Sequence, residues 1–197
     1  MINSPEADPD WAAIEGFLTS RGAAGIPHPG GTLLAHLIRV RRRLADWAAP
    51  PEVQTAGLCH ATYGTDGFAT GLLGTDQRAV LAELVGTQAE ELVYLYGSCA
   101  RGSTYPQFGG ESPVVFRDRF TGAERTPPLA QTQAFAEITV ANELDVLTHN
   151  PEAAEKHAAS LLQLFRRMAP LLSPAAERAC TTELAPLVRD PEQMTGP

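Results

Sequence analysis

Apolar residues return every third or fourth position over most of this chain, the period of helices that bury one face. Trp11, Ile14, Phe17 and Leu18 mark a short helix over 11–19, with Asp10 as its cap. Leu33, Leu37, Val40, Leu44 and Trp47 trace a stripe along a stronger helix that runs from a Thr32 cap to about residue 48. His36 falls on or beside that stripe, while Arg39 and Arg42 point elsewhere. Pro50 and Pro51 stop the helix, and Pro51 can open the next. That next helix, 52–61, carries Val53, Ala56, Gly57 and Leu58, small enough for close approach to a neighbour, and ends near His60. Amphipathic helices follow at 76–85, capped by Thr75 or Asp76, and at 87–97. Three more are predicted at 129–148, 151–168 and 174–188, with Pro186 placed to end the last one early. On the first of these, Phe135, Ile138, Ala141, Asn142 and Asp145 share a face.

Three stretches break the helical period. Residues 22–31 are rich in Gly and Pro and read as a loop carrying His28. Residues 101–113 are rich in Gly, Ser and Pro and read as a loop that could serve as a lid. Over 114–126, Val114, Phe116, Asp118 and Phe120 alternate with Val115, Arg117 and Arg119, and Thr121-Gly122 supplies a turn, so a small β-hairpin is expected. Residues 1–9 are expected to fray, and the tail after Asp190 is polar. The fold class is therefore all-α, a helical bundle with one hairpin near 114–126. No internal repeat or linker divides it, so residues 1–197 are read as one domain.

Composition narrows the function. The formal net charge is −8, which disfavours a phosphate backbone as partner. The basic run Arg39-Val40-Arg41-Arg42-Arg43 reads first as a solvated helix face, with an anion patch as the alternative. Cys59, Cys99 and Cys180 are odd in number and widely spaced, which argues against a disulfide framework and for a reducing compartment. No basic leader and no membrane-length apolar run occurs, so a cytoplasmic protein is expected. A single lysine amid abundant Ala, Gly, Pro and Arg suggests a GC-rich, bacterial genome.

Candidate chemistry concentrates between His28 and Phe68. His28, His36 and His60 lie there, followed by the Tyr63-Gly64-Thr65 loop. Imidazoles can move protons near neutral pH, ligate a metal, or sit satisfied in a core. Gly64 permits a turn that would bring the Tyr63 phenol and Thr65 hydroxyl beside His60. Asn142 and Asp145 share a face of a later helix and would form either part of a site or a buried structural network. Asp145 could orient an imidazole or act as a base. Arg101 could clamp an anion. His149 and His157 read as surface residues, and Cys99 as a buried helix-end thiol. No Gly-rich phosphate loop, GxSxG or HExxH motif occurs.

The order His36, then Gly57-Leu58-Cys59-His60, then Asn142 resembles the HD-domain superfamily of all-helical, metal-dependent phosphohydrolases. The phrase His60-Ala61-Thr62-Tyr63-Gly64-Thr65 with Phe68 also resembles an HD-like family of bacterial and fungal proteins without a settled activity. The likeness covers roughly residues 28–150. It implies that His36 and His60 stand at metal-ligand positions. Ala61 replaces the aspartate of the family's His-Asp pair, and Asn142 replaces its last aspartate. A divalent cation is held mainly by such carboxylates.

The expected function is therefore a small-molecule enzyme with a degenerate HD-type pocket. His28, His36, His60 and Asp145 would be catalytic, and Tyr63, Thr65, Arg101 and Asn142 would bind substrate. The chemistry would be metal-independent elimination, isomerisation or cyclisation. A phosphohydrolase using a divalent metal on His36 and His60 is one alternative. A non-catalytic small-molecule module is the other. The partner is a small molecule, not nucleic acid or membrane, and a homo-oligomer stays open.

Overall fold

A computed structural model describes residues 9–188. The expected frayed start, apart from Pro9, and the polar tail lie outside the described residues. The fold is all-α with small hairpins, and the helices follow the apolar stripes closely. Helix α1 (Trp11–Ser20) starts on Asp10, whose side chain accepts from the Ala13 amide. Helix α2 (Leu33–Asp46) starts on Thr32 in the same way and buries Leu33, His36, Leu37, Val40 and Leu44. Helix α3 (Pro51–Cys59) opens on Pro51 and buries Val53, Ala56, Gly57 and Leu58. A side chain at Gly57 would collide with Leu44, so the glycine lets α3 lie close on α2.

Helices α4 (Arg78–Val85) and α5 (Thr87–Ser98) are joined through Gly86 and pack on each other. Neither Thr75 nor Asp76 caps α4 with its side chain, because a 3-10 turn over Thr75–Gln77 precedes the helix. Residues after Cys99 are not an open loop. They form helix α6 (Arg101–Thr104) and a 3-10 turn over Tyr105–Gln107, which drives Phe108 into the core at 1% exposure. Gln107 ties this segment to the Val115 backbone. The lid expectation therefore fails for its first half, because a buried aromatic anchors it.

The expected hairpin is present: β3 (Phe116–Arg117) pairs antiparallel with β4 (Glu124–Arg125). Asp118 accepts from the Phe120 and Thr121 amides, so the residue that spoiled the alternation builds the turn. A second hairpin was not expected. Strands β1 (Pro27–His28) and β2 (Gly31–Thr32) flank a Pro29-Gly30 turn with Gly30 at φ +76°. Two-residue strands carry no readable alternation, yet this one fixes His28.

Helix α7 (Leu129–His149) is the centre of the molecule, packed by α2, α3, α5 and helix α8 (Pro151–Met168). It is buried on every side through its middle, not along one face only. Helix α9 (Pro174–Ala179) ends before Pro186, the expected stop, and gives way to a π-helical stretch, Cys180–Leu184, and a 3-10 turn, Ala185–Leu187. One continuous hydrophobic cluster runs from Ile14 to Leu184. Among the described residues, no helix is long and apolar enough to cross a membrane.

Candidate functional site

Helix α2 presents His36 to α7, where two side chains one turn apart receive it. His36 Nδ1 lies 2.6 Å from Asp145 Oδ2, and Nε2 lies 3.0 Å from Asn142 Oδ1. The Asn142 amide is oriented by its other end, since Nδ2 donates to Glu143 Oε1 at 3.1 Å. Both nitrogens of His36 thus face acceptors, and both bonds are donated by the ring. Asp145 is also clamped by Arg39, whose Nε and Nη2 donate at 2.7 and 2.9 Å. The same guanidinium reaches the Pro29 and Gly30 carbonyls and so holds the His28 hairpin down. Arg39 therefore does not point away from this region, as its place off the apolar stripe implied. Its long stem curls back along the helix to a carboxylate. Although burial pushes the Asp145 carboxyl upward, His36 and Arg39 hold it down to about 2.

The other two imidazoles meet His36 edge and face. His28 stacks on it with ring centroids 4.1 Å apart, and His60 meets it edge-on at 5.2 Å. His60 is the C-cap of α3, and its Nδ1 donates to the Gly57 carbonyl at 2.8 Å. That fixes the tautomer and leaves Nε2 as a bare acceptor. Burial first, and then the His36 charge, lower His60 to about 3 and His28 to about 4. Both are neutral near pH 7. His28 Nδ1 is buried with no well-formed hydrogen bond, the Pro29 carbonyl being the backbone group that acts on it.

These groups border a cavity of about 470 Å³. Its polar wall includes His28, His60, Thr65, Arg101, Tyr105, Asn142, Glu143 and His157. Its apolar wall includes Leu33, Phe68, Val146, Leu147 and Leu161. The loop after α3 builds part of that wall. Gly64, at φ +69°, turns the chain so that Thr65 and Phe68 exchange backbone hydrogen bonds. Phe68 then stands against His28 at 5.7 Å. Arg101 gives Nη1 to Glu143 Oε1 at 3.0 Å and Nη2 to the Tyr96 hydroxyl at 3.2 Å. Burial disfavours its charge, but Tyr96, Tyr105 and Glu143 more than offset that and raise it.

The expected site residues therefore fall into three groups. His28, His60, Thr65, Arg101 and Asn142 line the cavity. His36 and Asp145 do not line it: they bond to each other, and further to Asn142 and to Arg39 respectively. Tyr63 does not join them. Its phenol turns to the far side and donates to Glu90 Oε1 at 2.8 Å. The buried Glu90 carboxylate also takes Arg78, so it demands donors there and wins the phenol from the cavity. Glu143 and Tyr105 were missed. Glu143 is next to Asn142 but off the shared face, and only a helix buried all round exposes both directions to function. Tyr105 sat in a segment read as loop. His157 is exposed, as expected of a surface residue, and also stands at the cavity rim.

A metal fits this arrangement poorly. His36 has no lone pair to give, Ala61 supplies no oxygen, and Arg39 and Arg101 bring positive charge. Among the described residues, no group of three or more His, Cys, Asp or Glu is placed to hold a metal ion. The basic run is a solvated face only in part: Arg42 is exposed, and the other three arginines have partners. Besides Arg39, Arg41 stacks on Trp11 and Arg43 pairs with Glu183.

A family model described as a domain of unknown function (DUF6817) matches residues 17–101. That span holds His28, His36, His60, Thr65 and Arg101 but stops short of Asn142 and Asp145. No curated protein and no solved structure matches the chain.

Proposed function

We propose that this chain is a small-molecule enzyme in which His60 moves a proton without a metal. The observation that carries the reading is the state of the His60 ring. One nitrogen is pinned to the Gly57 carbonyl, and the other makes no hydrogen bond on the wall of a half-apolar cavity. A neutral imidazole so held is a general base ready for a substrate proton. His28 and Thr65 stand as neighbouring polar groups. The His36–Asp145 ion pair holds the ring cluster in place behind the reacting region. Its own atoms are fully occupied, so Asp145 positions and does not abstract.

In this reading the chain is a degenerate relative of the HD superfamily. The phosphohydrolase alternative loses ground because the retained histidine at the first ligand position has both nitrogens committed. A cytoplasmic setting agrees with three free, buried cysteines. Elimination, isomerisation and cyclisation remain the reaction classes that need only such proton transfers.

One observation favours the non-catalytic reading. A base lowered to about 3 is weak at neutral pH, and catalysis prefers a value nearer the working pH. The test is to incubate the parent protein and His60→Ala with a broad metabolite mixture and follow it by mass spectrometry. The parent is expected to convert at least one compound that a folded His60→Ala leaves untouched. Retention of a compound without conversion by the parent makes the chain a binding module.

A further inference from the structure

Tyr105 reaches the cavity wall from the short helical segment that follows Arg101. Its ring is held beside Phe108 and Phe135, with centroids 6.2 and 6.4 Å away. Its hydroxyl is buried and has no hydrogen-bond partner. A phenol stripped of water and left unpaired is disfavoured, so such a group calls for an acceptor that the protein itself does not supply. Burial raises this phenol well above its ordinary value, so it stays an O–H donor at any working pH. The Arg101 guanidinium lies 5.8 Å from the same ring. Two donors therefore share one part of a cavity whose imidazole, His60, offers only an acceptor.

We propose that the cavity takes a small carbonyl compound with an acidified C–H, and that Tyr105 is the catalytic residue that holds the carbonyl oxygen beside Arg101. The inference rests on His60 as the proton acceptor. His60 Nε2 takes the proton from the carbon next to the carbonyl. The C–H electron pair becomes a C=C bond, and the carbonyl π pair moves onto oxygen. An enolate held by the Tyr105 O–H and the Arg101 charge then faces a His60 imidazolium. Loss of a leaving group from the β carbon completes an elimination. Return of the proton to the γ carbon of an unsaturated substrate completes an isomerisation. Neither route needs an outside oxidant or reductant. The charges agree with the assignment. In the empty cavity, His36 and Arg101 both oppose a proton on His60. A negative oxygen formed beside Arg101 offsets them during the transfer. Leu33, Phe68 and Val146 suit the carbon skeleton.

The test titrates acetylacetone, a small diketone whose enolate has its own ultraviolet band, into the intact protein at neutral pH. The band is expected to grow beyond that of free acetylacetone on binding to the parent, and not to grow with His60→Gln. Tyr105→Phe is expected to need about tenfold more acetylacetone for the same band. The same variant should melt no lower than the parent, because it loses an orphaned hydroxyl. A parent protein that adds nothing to the band of free acetylacetone overturns the proposal. So does a Tyr105→Phe protein that titrates like the parent. A Tyr105→Phe protein that melts clearly lower shows a hydroxyl serving structure, and overturns it as well. The reading of His60 fails by a separate route, when His60→Gln converts metabolites at the parent rate.

Discussion

At the scale of single residues, the buried ion cluster behind the cavity decides most of the energetics. Asp145 is 3% exposed and balances two cations, His36 and Arg39. Removing one member of a buried pair leaves the other uncompensated, which costs more than the pair contributes net. Asp145→Asn is therefore expected to destabilise the protein by about 3–5 kcal/mol, measured by urea unfolding. A loss below about 1 kcal/mol would show the cluster to be wet and loosely held. The sequence carried part of this picture. His36, Asn142 and Asp145 were legible because helical spacing put them on facing surfaces. Arg39 was not, since spacing places a Cβ but not the end of a long side chain. Tyr63 was misplaced for a related reason: which of two buried acceptors wins a phenol depends on Glu90, 27 residues away.

At the scale of elements, the site depends on how α3 ends. His60 closes the helix, and Gly64 then reverses the chain so that Thr65 and Phe68 come back to the cavity. Gly64 combines φ +69° with backbone contact: a Cβ there would stand 2.9 Å from the Ala69 carbonyl oxygen. Gly64→Ala is expected to cost about 1–3 kcal/mol and to weaken ligand binding through displaced Thr65 and Phe68. Calorimetry of the variant with and without ligand reads both effects. Wild-type stability together with wild-type binding would mean the turn is not required. Most helix positions were readable to within about two residues because stripes and caps agree, as at Asp10 and Thr32, but the last helix, expected over 174–188, is α-helical only to Ala179. The β1–β2 hairpin and the helix at Arg101 were not, because elements of two to four residues have no period and are set by what they pack against.

At the scale of the whole molecule, α7 threads the centre and brings Asn142, Glu143 and Asp145 to the histidines of the first third of the chain. Burying two neutral imidazoles links stability to pH. His28 and His60 bind protons at about 4 and about 3 when folded, but near 6.5 when unfolded. Between those values the unfolded state holds more protons, so stability rises with pH there and falls on acidification. For the fully buried His60 the slope reaches about 1.4 kcal/mol per pH unit. Asp145 has the same sign at lower pH: its contribution is whole above about 3.9 and is lost as pH falls through about 2. Melting temperatures are expected to drop steadily from pH 6.5 to pH 4 in the parent, and less steeply in His60→Gln. A flat profile over that range would show the imidazoles to be solvated. The cavity itself was foreseeable only as a convergence of residues, since its volume and its two missed members arise from packing. The most direct test of the account is nitrogen NMR of the histidine-labelled protein at pH 7. His60 is expected to be neutral, with the proton on Nδ1 and a bare Nε2. A proton on Nε2, or a charged His60 ring, would contradict the account, because no base would then face the cavity.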